Sequence, residues 1–232
     1  GLIGAYSRDA ARLMAETLQQ GRATAEASPE LLGTIVNEAE HLSDLVDNLL
    51  STSRIESGAR TYRPRVVDFG EAVRAARKRI DYALAKDGFT LVEHVPEVAI
   101  RVNADPDALV QAVLNLLGNA MKYSGTSREI RLVVDVDATH ARLCVADDGV
   151  GVTPAEQTRI FKSFYRTGSA EALSTGAGLG LALVRHFTDA HAGEVSVESA
   201  AGRGSVFTIL LPLAAAADQS LVASDAPSPT HG

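Results

Sequence analysis

The segment VLNLLGNAMKYS, residues 113–124, places a polar cluster on an otherwise apolar helix pattern. Asn115 and Asn119 are four residues apart, so both amides lie on one face of the predicted helix. Lys122 and Tyr123 follow within the next turn. Amide oxygens, a cation and an aromatic ring at one helix end suit a phosphate–Mg²⁺ site, because Mg²⁺ takes hard oxygen ligands. The alternative is a surface helix whose polar face happens to hold two asparagines.

A second polar segment, VADDGVGV at residues 145–152, follows an apolar run. Asp147 is predicted to be buried at the end of a strand, where its carboxylate can accept a hydrogen bond from a ligand amine. Gly149 and Gly151 allow a sharp turn and a close approach of the backbone to a ligand. The alternative is a simple Asp-Gly turn.

A third segment, STGAGLGLALV at residues 174–184, leads from three glycines directly into an apolar helix pattern. Free amides at a helix start form an anion site, and Gly176, Gly178 and Gly180 keep side chains out of the approach. The segment lacks the Lys-Ser/Thr ending of a P-loop. It is also not a dinucleotide-binding fingerprint, since no strand immediately precedes it.

The segment IFKSFYR, residues 160–166, precedes the glycines. Phe161 and Phe164 are three residues apart and are predicted to pack rather than to bind. Arg166 is placed to reach a phosphate. The small polar residues between this segment and the glycines are predicted to form a mobile lid.

These segments belong to a predicted α+β domain over residues 68–213. Strands mixed with helices, ending in two consecutive strands, suggest a sandwich with the helices on one face of the sheet. The predicted helices span residues 69–86 and 106–123, and the predicted strands span 90–95, 129–136, 141–146, 194–199 and 205–211.

Residues 1–60 have a different pattern. Apolar residues recur every three or four positions along residues 3–20 and 31–55, which predicts a helical hairpin. Such narrow apolar seams bury little surface alone, so a dimeric four-helix bundle is expected. Residues 61–67 are predicted to be a linker, and residues 214–232 a disordered tail.

Composition limits the classes of partner. The chain has 232 residues and a net charge of −7, which disfavours nucleic acid as a partner. Its single cysteine, Cys144, excludes an internal disulfide and fits a reducing compartment. No apolar run approaches the roughly 20 residues of a membrane helix, so no membrane segment is expected in this chain.

Together and in this order, the segments resemble the conserved boxes of the ATP-binding domain of bacterial two-component sensor histidine kinases. NLLGNAMKYS resembles the N box, DDGVG the G1 box, IFKSFYR the F box and GAGLGLAL the G2 box. GRGSVFTILLP resembles the closing glycine-containing strand segment. LLSTSRIESG resembles the end of the second helix of the dimerisation and phosphotransfer hairpin. The resemblance covers about residues 12–213.

The resemblance implies roles for individual residues in binding ATP and Mg²⁺. It implies that Asp147 reads the adenine amino group, with Gly149 and Gly151 making room for the ring. Tyr123 would pack on adenine, and Asn119, helped by Asn115, would hold Mg²⁺. Phosphate contacts are implied for Lys122, Arg166 and the backbone amides of the segment containing Gly176, Gly178, Leu179, Gly180 and Leu181.

Two positions bear on the type of enzyme. Related ATPases of the gyrase, mismatch-repair and chaperone types carry a glutamate general base at the position of Asn115. An amide has no useful basicity, so transfer to a protein side chain is favoured over rapid ATP hydrolysis. Asp148 differs mildly from the family, where Asn is usual, and is expected to tune water contacts or charge.

The phosphoacceptor histidine of the family is missing at its expected position. An alignment without gaps places Leu2 at the acceptor position and Ile3 at that of its acidic neighbour, and leucine cannot accept a phosphoryl group. Three explanations remain open. The first is that the acceptor region has degenerated. The second is that this chain is truncated or altered and has lost the histidine. The third is that Tyr6, Ser7 or His41 is the phosphoacceptor instead. His41 flanks the apolar seam of its helix, where a solvated surface histidine is expected.

The resulting prediction is a homodimeric histidine kinase core that passes a phosphoryl group to histidine and then to an aspartate of a response-regulator receiver domain. The predicted location is the cytoplasm, either as a separate protein or as the cytoplasmic part of a membrane-bound sensor. The alternative is an ATP-binding pseudokinase, or a truncated chain without its acceptor, that acts by dimerisation and partner docking.

Overall fold

The computed structural model describes residues 61–167 and 177–215, together with Ile55. Within these residues the chain forms four helices and seven strands. The helices are α1 (Phe69–Lys86), α2 (Pro106–Tyr123), α3 (Pro154–Gln157) and α4 (Gly180–Ala190). The strands are β1 (Arg65–Asp68), β2 (Thr90–His94), β3 (Arg101–Ala104), β4 (Glu129–Val136), β5 (His140–Asp147), β6 (Glu194–Ser199) and β7 (Ser205–Pro212).

Five strands form one mixed sheet in the order β2-β4-β5-β7-β6. The pairing of β2 with β4 is parallel, and the other neighbours pair antiparallel. Along β5, buried residues alternate with more exposed ones, and Ala141, Leu143, Val145 and Asp147 are the buried set. This two-residue period shows that one face of the strand lies on the core.

The helices cover that face of the sheet. Helix α2 packs between α1 and α4 and also contacts β5. Its side chains Leu109, Leu116 and Leu117 are fully buried, as are Ile130 and Leu132 of β4. The predicted α+β architecture with helices on one face is therefore confirmed for the described residues.

The sequence patterns predicted the long elements closely. Helices α1 and α2 have the predicted bounds, and five strands agree within one residue at each end. Strands β1 and β3 were not predicted, and β1 begins inside the segment 61–67 that was assigned to a linker. Each has four residues and is formed by antiparallel pairing with the other across more than thirty residues of chain, so local patterns do not reveal them.

The ordered domain also extends beyond residue 213. Ala214, which was assigned to a disordered tail, is buried. Its amide donates a hydrogen bond to the carbonyl of Arg101, with 2.8 Å between nitrogen and oxygen. Leu213 forms an isolated bridge with Val102. The chain therefore leaves the sheet along β3.

A cluster of rings ties the entering segment to α4 and α2. The hydroxyl of Tyr62 lies 2.8 Å from Nδ1 of His186, and its ring centroid is 5.0 Å from that of His191. The amide of Asp105 donates to Nε2 of His191 at 3.1 Å, so Nδ1 carries the proton and donates to the carbonyl of Phe187 at 2.7 Å. The hydrogen bonds of His191 therefore join the start of α2 to the end of α4, and the ring of Tyr62 lies against this junction.

The predicted hairpin, the acceptor position at Leu2, His41, and the tail from residue 216 lie outside the described residues. Across residues 61–167 and 177–215, none of the helices combines the length and apolar character needed to cross a membrane.

Helix α2 begins at an aspartate with three backbone partners. Oδ1 of Asp105 accepts hydrogen bonds from the amides of Asp107 and Ala108, both at 3.1 Å, and Oδ2 accepts one from Arg63 at 2.9 Å. Burial opposes ionisation, but the amides of Arg63, Ala108 and Asp107 outweigh it and hold the pKa of Asp105 below its ordinary value.

We expect Asp105→Ala to lower the free energy of unfolding by about 1–2 kcal/mol. Asp105→Asn is the matched control, because an asparagine also caps a helix. Because the pKa of Asp105 is lower in the folded state than in the unfolded state, stabilisation by its negative charge is present above the unfolded-state pKa. This stabilisation is lost as the pH falls through the folded-state pKa. Urea unfolding at neutral and acidic pH measures both effects, and equal unfolding energies for the two variants would contradict this assignment.

Candidate functional site

Asp147 is the buried acid of the site. It is the last residue of β5 and is only 5% exposed. Its Oδ1 accepts a hydrogen bond from the amide of Gly149 at 2.9 Å. Burial raises the pKa of Asp147 to about 6, although the amides of Gly149 and Ser205 favour the charged form. The predicted burial at a strand end is confirmed, and the role of this carboxylate as an acceptor for a ligand N–H group stays a prediction.

The turn after Asp147 is packed between two other backbone segments. A Cβ on Gly149 would collide with the carbonyl of Tyr123 at the end of α2, and a Cβ on Gly151 would collide with the carbonyl of Ala200. The amide of Val150 donates to that same Tyr123 carbonyl at 3.1 Å. Glycine is therefore required at both positions by the protein's own backbone, before any ligand is considered.

The loop between β6 and β7 completes this turn. A Cβ on Gly204 would collide with the carbonyl of Asp147, and the amide of Gly204 donates to the carbonyl of Gly149 at 3.0 Å. Neither Gly204 nor Ser205 was among the predicted site residues. The GRGS sequence just before the last strand was the available signal, since a glycine there indicates a close backbone approach.

The asparagines of α2 lie beside the start of α4. A Cβ on Gly180 would come within 3.3 Å of Oδ1 of Asn115, so the two helices approach closely here. Nδ2 of Asn115 is buried and has no hydrogen-bond partner among the described residues. Asn119 lies one turn further along α2 and is half-buried. A buried amide without a partner is costly unless a ligand or water satisfies it.

Helix α4 presents its first amides without a capping side chain. Its N-cap residue is Leu179, which is 2% exposed and offers no side-chain hydrogen bond. Leu181, in the first turn, packs against the core. The free N–H groups and the helix dipole make this end of α4 suited to an anion. Gly176, the first glycine of the predicted set, lies outside the described residues.

The segment at residues 160–166 is joined to the glycine segment by a backbone hydrogen bond. The amide of Phe164 donates to the carbonyl of Gly178 at 2.9 Å, and a Cβ on Gly178 would lie 3.2 Å from Cγ of Arg166. Phe161 packs edge-on against Phe207, with 6.5 Å between ring centroids. The packing prediction is thus confirmed for Phe161 but wrong for Phe164, which is 58% exposed and has a φ of 63°.

The remaining predicted residues stand at the end of α2. Nζ of Lys122 lies 5.4 Å from the ring centroid of Tyr123, and both side chains are half-buried. The end of α2 therefore meets the turn after β5 at Tyr123 and Gly149, whereas the start of α4 meets α2 two turns earlier, at Asn115. Asn115, Tyr123, Gly149 and Gly180 are thus linked along one helix.

The donor chemistry fits a magnesium ion shared with phosphates better than a metal held by protein alone. Within the described ranges there is no group of three or more His, Cys, Asp or Glu side chains placed to hold a metal. Asn115 offers an amide oxygen beside the start of α4, and Asn119 offers another one turn further along α2. Mg²⁺ is commonly bound by few protein ligands together with substrate phosphates.

Two family models match the chain. Residues 10–58 match the His Kinase A (phospho-acceptor) domain. Residues 104–215 match the family described as histidine kinase-, DNA gyrase B-, and HSP90-like ATPase. The second match contains every described part of the site.

Individual relatives agree with these matches. The chain is 35% identical over 173 residues to histidine protein kinase DivJ of Caulobacter vibrioides, covering 75% of this chain and 29% of DivJ. It is 32% identical over 201 residues to sensor-like histidine kinase SenX3 of Mycobacterium tuberculosis, covering 86% of this chain and 49% of SenX3. The chain thus spans less than half the length of either curated relative.

A solved structure of full-length ShkA in complex with AMPPNP is also similar. The TM-score is 0.67 at 28% sequence identity, and the alignment covers 91% of this chain and 45% of the ShkA chain. The likeness to known structures is therefore one of fold as well as of sequence.

Two glycines in the loop between β6 and β7 provide a matched test of the backbone packing. Gly202 and Gly204 have φ values of 73° and 74°. A Cβ on Gly202 meets nothing within 4 Å, whereas one on Gly204 would strike the backbone at Asp147. We expect Gly202→Ala to cost about 1–2 kcal/mol, the penalty of a left-handed alanine.

We expect Gly204→Ala to cost about 2 kcal/mol more than Gly202→Ala, because the backbone at Asp147 must shift. Chemical denaturation of the two variants measures the difference. Equal destabilisation would show that the close contact between Gly204 and Asp147 does not constrain the fold.

Proposed function

Because this chain belongs to the two-component sensor histidine kinase family, we propose that its described domain binds Mg-ATP and donates the γ-phosphoryl group to a histidine. The proposal is supported most directly by two features along α2: a buried carboxylate in the strand end that packs on the end of this helix, and the uncapped start of α4 beside Asn115. The carboxylate, Asp147, suits the amino group of a base. The amides at Gly180 suit a phosphate tail. These two features together favour a nucleotide over a simple anion.

We assign the nucleotide contacts as follows. Asp147 accepts a hydrogen bond from the adenine amino group, and Tyr123 packs on the ring. Lys122, at the end of α2, and Arg166, beside Gly178, contact phosphate oxygens, because both carry a positive charge. The amides of Gly176, Gly178, Leu179, Gly180 and Leu181 cradle the phosphate tail.

Asn119 and Asn115 would hold Mg²⁺ through their amide oxygens. When bound, the ion supplies neutralisation of the phosphate charge. The unpartnered Nδ2 of Asn115 is a hydrogen-bond donor, so it supports a phosphate or water oxygen beside the ion rather than the ion itself. Asn115 cannot act as a general base on water. The site therefore favours transfer to a protein nucleophile over hydrolysis.

The phosphoryl transfer we propose forms a bond between a histidine nitrogen and the γ-phosphorus. The bond from that phosphorus to the β,γ-bridging oxygen breaks, and ADP leaves. The match of residues 10–58 to the phospho-acceptor domain supports a homodimer through the helical hairpin. It also supports onward transfer to an aspartate of a response-regulator receiver domain. The relatives are named as kinases, which favours this function over a binding-only protein.

We expect Asp147→Asn to weaken ATP binding by about tenfold or more, because a site built around a buried polar contact discriminates strongly when that contact is changed. Asp135→Asn is the matched control. Asp135 is a paired strand carboxylate, bonded to Arg142 at 2.6 Å, on the face of the sheet that the helices do not cover. Isothermal titration with a non-hydrolysable ATP analogue measures both, and unchanged affinity in the Asp147 variant would refute the assignment of the base-reading residue.

Whether the domain donates a phosphoryl group can be tested separately from which residue accepts it. We expect the Leu2→His, Ile3→Glu chain, incubated with γ-labelled ATP and Mg²⁺, to acquire acid-labile, base-stable label. The substitutions restore the nucleophile and acid that the family places there, and adding Asp147→Asn should lower the labelling at subsaturating ATP.

Label in the unsubstituted chain that disappears in His41→Gln would assign the acceptor role to His41. Absence of label in a Leu2→His, Ile3→Glu chain that still binds ATP would contradict the kinase proposal. That outcome would favour the pseudokinase alternative.

A further inference from the structure

Asp148, next to the buried carboxylate, is held by an arginine from the neighbouring strand. Nη2 of Arg131 lies 2.6 Å from Oδ1 of Asp148, and Nη1 lies 3.0 Å from Oδ2. Nη1 is also 2.9 Å from Oε1 of Glu129. The Asp148 contact is bidentate, which is the geometry that fixes a carboxylate most firmly.

Arg131 and Asp147 lie on opposite faces of the sheet. Arg131 pairs with Ala146 in the register of β4 and β5, and its neighbours Ile130 and Leu132 are buried on the helix side. Asp147 belongs to the buried set of β5. Because side chains alternate between faces, Arg131 points away from the region that we assign to the nucleotide. Arg131 therefore does not contact that region directly, and it acts there through its pair with Asp148 and through its charge.

We propose that Arg131 is a positioning residue for nucleotide recognition: by holding and neutralising Asp148, it leaves Asp147 as the one unbalanced carboxylate at the end of β5. This inference rests on the proposed function of Asp147 as the base-reading acid. It also gives Asp148 a defined role, since the charge that distinguishes it from the usual asparagine is balanced within this chain.

The charges around Asp147 support this role. Burial is the main cause that raises the pKa of Asp147, and the charge of Asp148 raises it further, whereas Arg131 lowers it. The hydrogen bonds from Arg131 in turn hold the pKa of Asp148 below its ordinary value. Glu129, bound to Arg131, is a further charged group beside this pair. The Gly149 and Ser205 amides that meet Asp147 are neutral.

The consequence concerns the protonation of Asp147. Without Arg131, the negative charge of Asp148 is unbalanced and favours protonation of its neighbour. A protonated carboxyl loses an acceptor position that the adenine amino group needs. Nucleotide affinity should then be lost at a higher pH than in the unsubstituted chain.

The test compares Arg131→Gln with Arg142→Gln in the full chain. Arg142 is the matched control, because it makes the same kind of pair with Asp135, at 2.8 and 2.6 Å, away from Asp147. Both pairs are exposed, so each substitution should change stability by only about 0–1 kcal/mol. The measurements are carbon-detected NMR titration of the Asp147 carboxyl and the pH dependence of ATP affinity. The titration of ATP itself is common to all variants.

We expect Arg131→Gln to raise the titration midpoint of Asp147 by about half a pH unit or more, and Arg142→Gln to leave it unchanged. Near pH 6 the affinity for ATP should fall by about twofold in Arg131→Gln relative to the control. Adding Asp148→Asn to Arg131→Gln should restore both values, because it removes the unbalanced charge.

A midpoint in Arg131→Gln that matches Arg142→Gln would overturn the inference, as would failure of Asp148→Asn to restore it. These outcomes differ from failure of the proposed function. If Asp147→Asn leaves ATP affinity unchanged, the base-reading role itself is wrong, whatever the Arg131 variants show.

Discussion

The site depends on backbone contacts around the turn after β5 that leave no room for side chains. The carbonyl of Tyr123, at the end of α2, lies where a side chain on Gly149 would be. The carbonyl of Ala200, in the loop after β6, lies where a side chain on Gly151 would be. In the same way, the carbonyl of Asp147 lies where a side chain on Gly204 would be. These contacts fix the end of the central strand against the end of α2, and the proposed base-reading residue Asp147 is positioned by that junction.

At neutral pH, the ionised carboxylate of Asp147 lowers the stability of the folded state. Burial raises the pKa of Asp147 to about 6, so the folded state binds a proton more tightly than the unfolded chain does. Stability from this group is therefore complete below the unfolded pKa and is lost as the pH rises through about 6. Asp105 has the reverse sign, because its three amide donors stabilise the charge. A buried acid that costs stability is expected where a ligand rather than the fold uses the charge.

Much of the fold was readable from local patterns, and the exceptions share a cause. The bounds of α1 and α2 followed from apolar periodicity because each helix buries one continuous stripe on the core. Strands β1 and β3 were missed because four residues carry too little pattern, and their stability comes from pairing with each other. Phe164 was expected to pack, but the hydrogen bond of its amide to Gly178 places it in a left-handed turn with its ring exposed.

The sequence by itself determined the family, the order of the site segments and the identity of the buried acid, because each rests on residue types at short spacing. Only the tertiary structure decided why Gly149 and Gly151 must be glycine, and that Gly204 belongs with them. It also decided that Asp148 is balanced by Arg131, seventeen residues away in the chain. These properties arise from distances between segments that are remote in sequence, and such distances exist only after the sheet and the helices have packed.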